Sequence, residues 1–122
     1  EHDRRSIYLV AKRNLRLPFG QAFDQPDLQT SCPRRQTSTH ALQALELMNG
    51  KTANRLADAF ADRLRREAGT DNAKQVELAY SLALGRVPTA REKDLALAFL
   101  LRQPLREFAL AMFNVNGFLY VN

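Results

Sequence analysis

The sequence predicts a mainly α fold of about five helices in an irregular bundle, with short extended segments at both ends. Two features of the 122-residue chain support this class. Apolar residues recur at helical spacing over most of residues 40–115, and a glycine follows most of these periodic stretches. The glycines in such positions are Gly50, Gly69, Gly85 and Gly117.

The first predicted helix spans about residues 40–49. Residues 37–39, which are Thr, Ser and Thr, provide candidate N-caps, and the dipeptide Asn49-Gly50 is a typical C-terminal stop. Leu42, Leu45 and Met48 recur at i, i+3 and i+6. We therefore expect these three side chains to form the buried stripe of this helix.

The second predicted helix spans about residues 52–68 and the third about residues 72–84, with Thr52 and then Asp71 or Asn72 as candidate N-caps. In the second helix we expect a buried stripe of large residues, and small residues one position along permit a neighbouring helix to approach closely. The large residues are Leu56, Phe60 and Leu64, and the small ones are Ala53, Ala57 and Ala61. In the third helix the expected buried residues are Val76, Ala79, Tyr80, Ala83 and Leu84.

A turn at residues 85–89 leads into the fourth predicted helix, at about residues 90–102. Thr89 and Glu92 have the spacing of a capping box. Pro104 suits the first turn of a fifth helix over about residues 104–115. The expected buried residues are Leu95, Ala98, Phe99 and Leu101 in the fourth helix, and Leu105, Phe108, Ala109, Met112 and Phe113 in the fifth.

The extended ends are residues 6–10 and 118–121, which are rich in aliphatic and aromatic side chains. Each segment is too short to persist as an unpaired strand, so we expect the two to pair with each other. Between the first segment and the helices, Pro18 and Pro26 interrupt any long helix. Phe19 and Phe23 are four residues apart, which predicts a single helical turn that anchors this part of the chain.

The chain is predicted to form one structural domain, in which an extended basic arm at residues 1–36 packs on a helical part at residues 37–122. The arm holds seven Arg or Lys residues against four Asp or Glu, and the helical part holds eleven against nine. Two interpretations of the basic excess remain open: an anionic partner, or an acidic protein surface that lies outside this chain. Because the chain starts without Met and in the middle of a pattern, we interpret it as a fragment of a larger protein.

The sequence lacks the signatures of several functional classes of protein. The start has no apolar region of a signal peptide, and the longest uncharged run, residues 108–122, is too short and too polar to span a membrane. Phosphate-binding loops, nucleophile elbows, covalent haem motifs and metal-ligand spacings are absent, so no cofactor is expected in this chain. The helices lack an arginine-rich face, so nucleic acid is not an expected partner.

Cys32 offers the most suggestive local chemistry. It is followed by Arg34 and Arg35, and neighbouring guanidinium groups favour a thiolate, which can act as a nucleophile or a ligand. In the alternative interpretation, Cys32 is a small buried group and the arginines pair with Asp24 and Asp27.

The carboxylates of Asp24 and Asp27 lie three residues apart around Pro26. Such a pair fits either an acid–base or cation site or the ordinary hydrogen bonds of a turn. No complete catalytic motif is present. If a site exists, its candidate catalytic residues are Asp24, Asp27, Cys32, Arg35 and Gln43.

A series of short motifs resembles one family in order and spacing. The motifs are RRSIYL, FDQPD, SC-x-RR, QALELMN, LALGRVPTAREKDLALAFL and FNVNGFLYV. Over about residues 4–121 the chain resembles the C-terminal part of the planctomycete-type cytochrome-associated domain family, a family of unknown function. The residues that match its recurrent positions are Arg4, Arg5, Phe23, Asp24, Asp27, Cys32, Arg35, Gln43 and Asn49. The chain departs from the family at His40-Ala41, where a proline is common, and at Gly117, where an acidic residue is common.

The resemblance implies an exported protein, placed in the periplasm or cell envelope of a bacterium. It also implies a partner domain upstream and, in some members, a c-type cytochrome domain, so a haem is implied only for another domain of the parent protein. The family has no established activity, and the resemblance therefore assigns no catalytic residue.

The leading hypothesis is a non-catalytic helical interaction module that packs against the upstream domain. The alternatives are part of an exported hydrolase or redox-linked enzyme whose site is completed by upstream residues, and a domain that binds an anionic polymer through the basic arm. The candidate interface residues are Arg4, Arg5, Tyr8, Phe19, Phe23, Arg34 and Asn49.

Overall fold

A computed structural model describes residues 6–8, 18–26, 29–34 and 41–120 of the chain. Within these ranges the protein is mainly α, as predicted. A short 3-10 turn at Ser6–Tyr8 is followed by α1 (Pro18–Ala22), α2 (Ala41–Asn49), α3 (Lys51–Ala68), α4 (Asn72–Leu84), α5 (Ala90–Leu100), α6 (Leu105–Met112) and α7 (Asn116–Leu119).

The chain divides into two compact units, Glu1–Gln43 and Ala44–Asn122. The predicted boundary between arm and helical part, after residue 36, lies outside the described residues. In the first unit, Pro18 begins α1, and the rings of Phe19 and Phe23 lie 4.8 Å apart between centroids. The single helical turn predicted from their spacing is therefore confirmed.

The described core of the second unit is built by α3, α4, α5 and α6, and α3 packs most extensively against α6. α3 contributes small residues and α6 large residues to the same buried cluster, a combination that allows two helices to approach closely. The buried residues of the core cluster are Ala57, Ala61, Leu64, Val76, Ala79, Tyr80, Ala96, Leu105, Phe108, Ala109 and Met112. The buried residues predicted for α6 are confirmed, except that Phe113 is half-buried.

The face that α3 turns to the core differs from the predicted one. Leu64 is buried as expected, but Leu56 is exposed and Phe60 is half-buried. The alanine row at Ala53, Ala57 and Ala61 is buried instead. The two rows lie side by side on the helix. α6 contributes Phe108 and Met112 to the same cluster, and a row of small residues on α3 leaves room for such side chains.

The buried face of α5 also differs from prediction. Leu95, Ala98, Phe99 and Leu101 are all exposed, whereas Ala96 is buried and Leu97 and Leu100 pack against the core. Residues 95–100 are apolar without interruption, so their periodicity is compatible with either face. An ion pair between Lys93 of α5 and Glu77 of α4, at 2.6 Å, helps to hold the observed rotation.

In α2 the predicted buried stripe is exposed. Leu42, Leu45 and Met48 retain between 53% and 66% of their accessible surface, and no residue of α2 is buried. The helix itself spans Ala41–Asn49, close to the predicted range. Its predicted N-caps at residues 37–39 lie outside the described residues.

Most helix ends agree with the sequence signals, with two exceptions. Asp71 caps α4 by accepting hydrogen bonds from the backbone N–H groups of Ala73 and Lys74. Gly85 ends α4 in the left-handed conformation, with φ of 66°, which glycine adopts without strain. One exception is α3, which begins at Lys51 after Gly50 rather than being capped by Thr52. The other is α6, which ends at Met112 rather than near residue 115, so that Gly117 lies inside α7 instead of ending the preceding helix.

The predicted strands at the chain ends are not observed among the described residues. Ser6–Tyr8 forms a 3-10 turn, and Asn116–Leu119 forms α7. The ring of Phe118 lies 5.3 Å from that of Phe113, and this packing favours a helical turn over the β propensity of the segment. Since neither described part is a strand, the predicted pairing of the two ends has no basis there. Leu9, Val10 and Val121 lie outside the described residues.

The turn between α4 and α5 contains a compact polar cluster. The capping box predicted for Thr89 and Glu92 is confirmed. Arg86 donates two hydrogen bonds to the carboxylate of Glu92, at 2.8 and 2.7 Å, and its guanidinium lies 5.5 Å from the centre of the Tyr80 ring. The bonds from Arg86, with those from Thr89, lower the pKa of Glu92 to about 2.

This lowered pKa predicts an acid-dependent loss of stability. The folded pKa of Glu92 lies below the ordinary value of 4.5, so its contribution is complete above that value and disappears as the pH falls towards 2. When the pH falls from about 5 to 2, we expect the free energy of unfolding of the unsubstituted chain to decrease by about 1 kcal/mol more than that of the Glu92→Gln variant. This difference is small because solvent screens the partly exposed carboxylate. Urea titrations at several pH values measure this difference.

Glu67→Gln is the matched control for this pH experiment. It removes one carboxylate from an exposed ion pair between successive turns of α3, with Arg63 at 2.8 Å. We expect its acid-dependent loss of stability to follow that of the parent chain. Parallel pH profiles for the parent chain and Glu92→Gln would contradict the role of the capping cluster.

Candidate functional site

The structure brings together two of the five candidate catalytic residues, Asp24 and Gln43. Asp24 follows α1 in a turn with φ of 55°, a conformation that Asp tolerates better than most residues. Its Oδ2 accepts a hydrogen bond from Nε2 of Gln43 at 3.5 Å, and both residues are half-buried. An amide does not transfer protons at ordinary pH, so this pair is not an acid–base couple.

The other three candidates do not complete a site within the described residues. Asp27 and Arg35 lie outside them. Cys32 is exposed, and its thiol donates to the backbone oxygen of Arg34 at 3.2 Å. The expectation that Cys32 is a small buried group is therefore wrong. Its segment, residues 29–34, is exposed throughout and provides no core in which a thiol could be buried.

The candidate interface residues are mostly accessible where they are described. Tyr8, Phe19, Arg34 and Asn49 are exposed, and Phe23 is half-buried beside Phe19. Arg4 and Arg5 lie outside the described residues. Accessible aromatic and basic side chains of this kind suit contacts with another protein surface.

The second unit contains an open pocket that no sequence motif indicates. It has a volume of about 320 Å³ and lies where α3 ends and α4 and α6 begin. Gln75 is buried at this pocket and donates through Nε2 to the backbone oxygen of Gly69. The only charged residue in its lining, Arg65, is paired with Asp62 at 2.9 Å. The lining residues are Arg65, Gly69, Thr70, Asn72, Gln75 and Leu105.

A polar network between α3 and α6 was also missed. Arg106 donates to Asp58 at 2.9 Å and contacts Glu107 and Asn54. Hydrogen bonds to Glu107 and Asp58 raise the pKa of Arg106, with the bond to Glu107 as the larger cause. Because Arg106 and Asn54 are 52 residues apart in the chain, only the packing of the two helices reveals this network. It joins the helices and contains no group poised for catalysis.

Two further properties concern the described residues alone. They contain no group of three or more His, Cys, Asp or Glu side chains that could hold a metal ion. None of the helices in this part of the chain is long and apolar enough to cross a membrane.

The fold and these local clusters define a helical domain whose polar groups mainly cap helices and join them. The family model of PSD1, described as "Protein of unknown function (DUF1553)", matches residues 1–100, and the chain belongs to this family. This match confirms the resemblance to a family of unknown function. No curated protein and no solved structure matches the chain significantly.

Proposed function

We propose that this chain is a non-catalytic helical interaction module that docks on another domain of a larger protein. One observation supports this most strongly: among the residues before Ala53 whose exposure the structure describes, none is buried. The described core cluster lies entirely between Ala57 and Met112. The stretch before Ala53, called the N-terminal stretch below, therefore contributes no described side chain to this core.

Exposed large hydrophobic residues are more frequent in this stretch than in the rest of the described chain. The large hydrophobic residues exposed there are Ile7, Tyr8, Phe19, Leu42, Leu45 and Met48. Those of α2 keep the i, i+3, i+6 spacing typical of a buried helix face. Exposed apolar surface of this kind commonly marks a protein–protein contact. We propose that the partner domain covers it.

The family resemblance supports a specific identity for that partner. It implies an upstream domain in the same exported protein and, in some members, a c-type cytochrome domain with its haem. We propose that the basic arm at residues 1–36, of which Arg34 is described and exposed, contacts an acidic surface of the upstream domain. In this arrangement, the excess of basic over acidic residues in the arm contributes to docking.

Hydrogen exchange of α2 tests the docking proposal. We compare the 122-residue chain with the full-length natural protein and expect the α2 amides to exchange at least about tenfold more slowly in the latter, because docking suppresses local opening. Amides of α3 provide the internal reference, since that helix already has buried residues in the chain alone.

A pair of variants in the full-length protein makes this test specific. Leu45→Asp places a charge in the α2 stripe, and we expect it to restore fast exchange in α2. Leu101→Asp is the matched control, because Leu101 is a more exposed leucine outside the N-terminal stretch. Equal exchange of α2 in the short and full-length proteins would rule out docking through this helix.

A further inference from the structure

The helix α5 presents apolar residues on its outer face as well as to the core. Leu95 is 63% exposed, and Ala98 and Phe99 are also exposed. Ala96, Leu97 and Leu100 occupy the core side of the same helix. A helix that is apolar on both sides is typical of an element covered from two directions, and the described residues cover α5 from only one.

Two arginines stand at the ends of this outer face. Arg91, Leu95, Ala98 and Arg102 follow one another at i, i+4, i+7 and i+11, a spacing that keeps them on one side of a helix. Arg102 belongs to the turn after α5, which continues the helical path through the hydrogen bond from Leu101 N to Leu97 O at 3.2 Å.

Basic residues outnumber acidic residues on this face. No side-chain partner is present for Arg91 or Arg102 among the described residues. By contrast, Glu92 and Lys93 are engaged by Arg86 and Glu77. Asp94, at the edge of the apolar residues, is the one acidic residue beside them on α5. The face therefore has a basic group at each end and an excess of positive charge.

We propose that the outer face of α5, formed by Arg91, Leu95, Ala98, Phe99 and Arg102, docks an amphipathic α-helix of another protein that bears acidic residues at both ends of its apolar stripe. The small Ala98 between larger neighbours leaves a hole for a partner side chain. The terminal arginines pair with the partner's carboxylates and set its position along α5.

Charge complementarity favours such a helix over a second copy of this chain. In a helix pair formed by two copies of α5, both partners contribute the same positive excess, so like charges accumulate at the contact. An acidic-ended helix removes this repulsion. The face shares no residue with the N-terminal stretch of the proposed function, so a variant of one leaves the residues of the other unchanged.

Two designed peptides serve as probes of the α5 face. Both are amphipathic helices with the same Leu and Ala stripe, and they differ only in having Glu or Lys at the two ends. Fluorescence anisotropy with the 122-residue chain measures binding. Since one helix face is smaller than a standard interface, we expect a dissociation constant on the order of 100 µM for the Glu-ended peptide. We expect about fivefold weaker binding of the Lys-ended peptide.

Three variants test the assigned residues. Leu95→Asp should weaken the Glu-ended peptide at least about tenfold, because it removes the apolar contact at the centre of the face. Leu56→Asp, a matched control on an exposed leucine of α3 that is not part of this face, should bind like the parent chain. The double variant Arg91→Glu with Arg102→Glu should reverse the preference and select the Lys-ended peptide.

Each alternative outcome overturns the proposal. Failure of both peptides to bind would remove the docking site, and equal binding that the charge reversal leaves unchanged would remove the acidic-ended partner. Dimerisation of the chain that Leu95→Asp abolishes, measured by sedimentation, would assign the face to a second copy instead. Circular dichroism confirms that each variant is folded.

Discussion

Leu64→Ala is expected to lower the free energy of unfolding by about 2–5 kcal/mol. Leu64 is 0% exposed and is the largest fully buried side chain of α3. Truncation removes apolar surface from the core and leaves a cavity that the rigid neighbouring helices fill only in part. Urea denaturation followed by circular dichroism measures the change.

Leu56→Ala is the matched control for the cavity prediction. It makes the same chemical change on the same helix, and the helical spacing alone places Leu56 and Leu64 in one stripe. Leu56, however, is 45% exposed, so we expect a loss below about 1 kcal/mol. Equal losses for the two leucines would mean that α3 turns a different face to the core.

Ala57→Leu is expected to destabilise the chain by about 1–3 kcal/mol, although it adds apolar surface. Ala57 and Ala61 are 0% exposed, and they belong to the same buried cluster as Phe108, Ala109 and Met112 of α6. A larger side chain here must push α6 away or adopt a strained rotamer. The effect therefore measures how closely α3 and α6 approach.

Ala59→Leu provides the corresponding control on the exposed side of α3. The added side chain meets solvent there, so we expect a change within about 0.5 kcal/mol. Thermal and urea unfolding of both variants give the comparison. A stabilising Ala57→Leu would show that the alanine row lies against a void rather than against α6.

The helix ends could be predicted because their signals are local. The carboxylate of Asp71 reaches backbone N–H groups two and three residues away, and the capping box joins Thr89 to Glu92 across three residues. Such contacts are complete within one turn, so they depend little on what the rest of the chain does. For the same reason α4 and α6 begin where the sequence indicates, within one residue.

Candidate site residues were predicted less completely. Asp24 and Gln43 are in contact, but Cys32 is exposed rather than buried. Burial of a cysteine depends on whether other elements cover its segment, and no local pattern encodes this. The network of Arg106 with Asp58 and Asn54 could not be predicted either, because its members meet only when α3 and α6 pack.

The sequence by itself determined that this protein is mainly α, where most of its helices begin and end, and to which family it belongs. Local hydrogen bonds and side-chain spacing are sufficient for those properties. Only the tertiary structure decided which face each helix buries. In α3 and α5 the apolar residues are compatible with more than one buried face, and the segment of α7 is compatible with a strand or a helical turn. The packing of neighbouring helices selected one arrangement in each case. In α2 the apolar stripe stayed largely exposed among the described residues, and that exposure is the basis of the proposed interaction module.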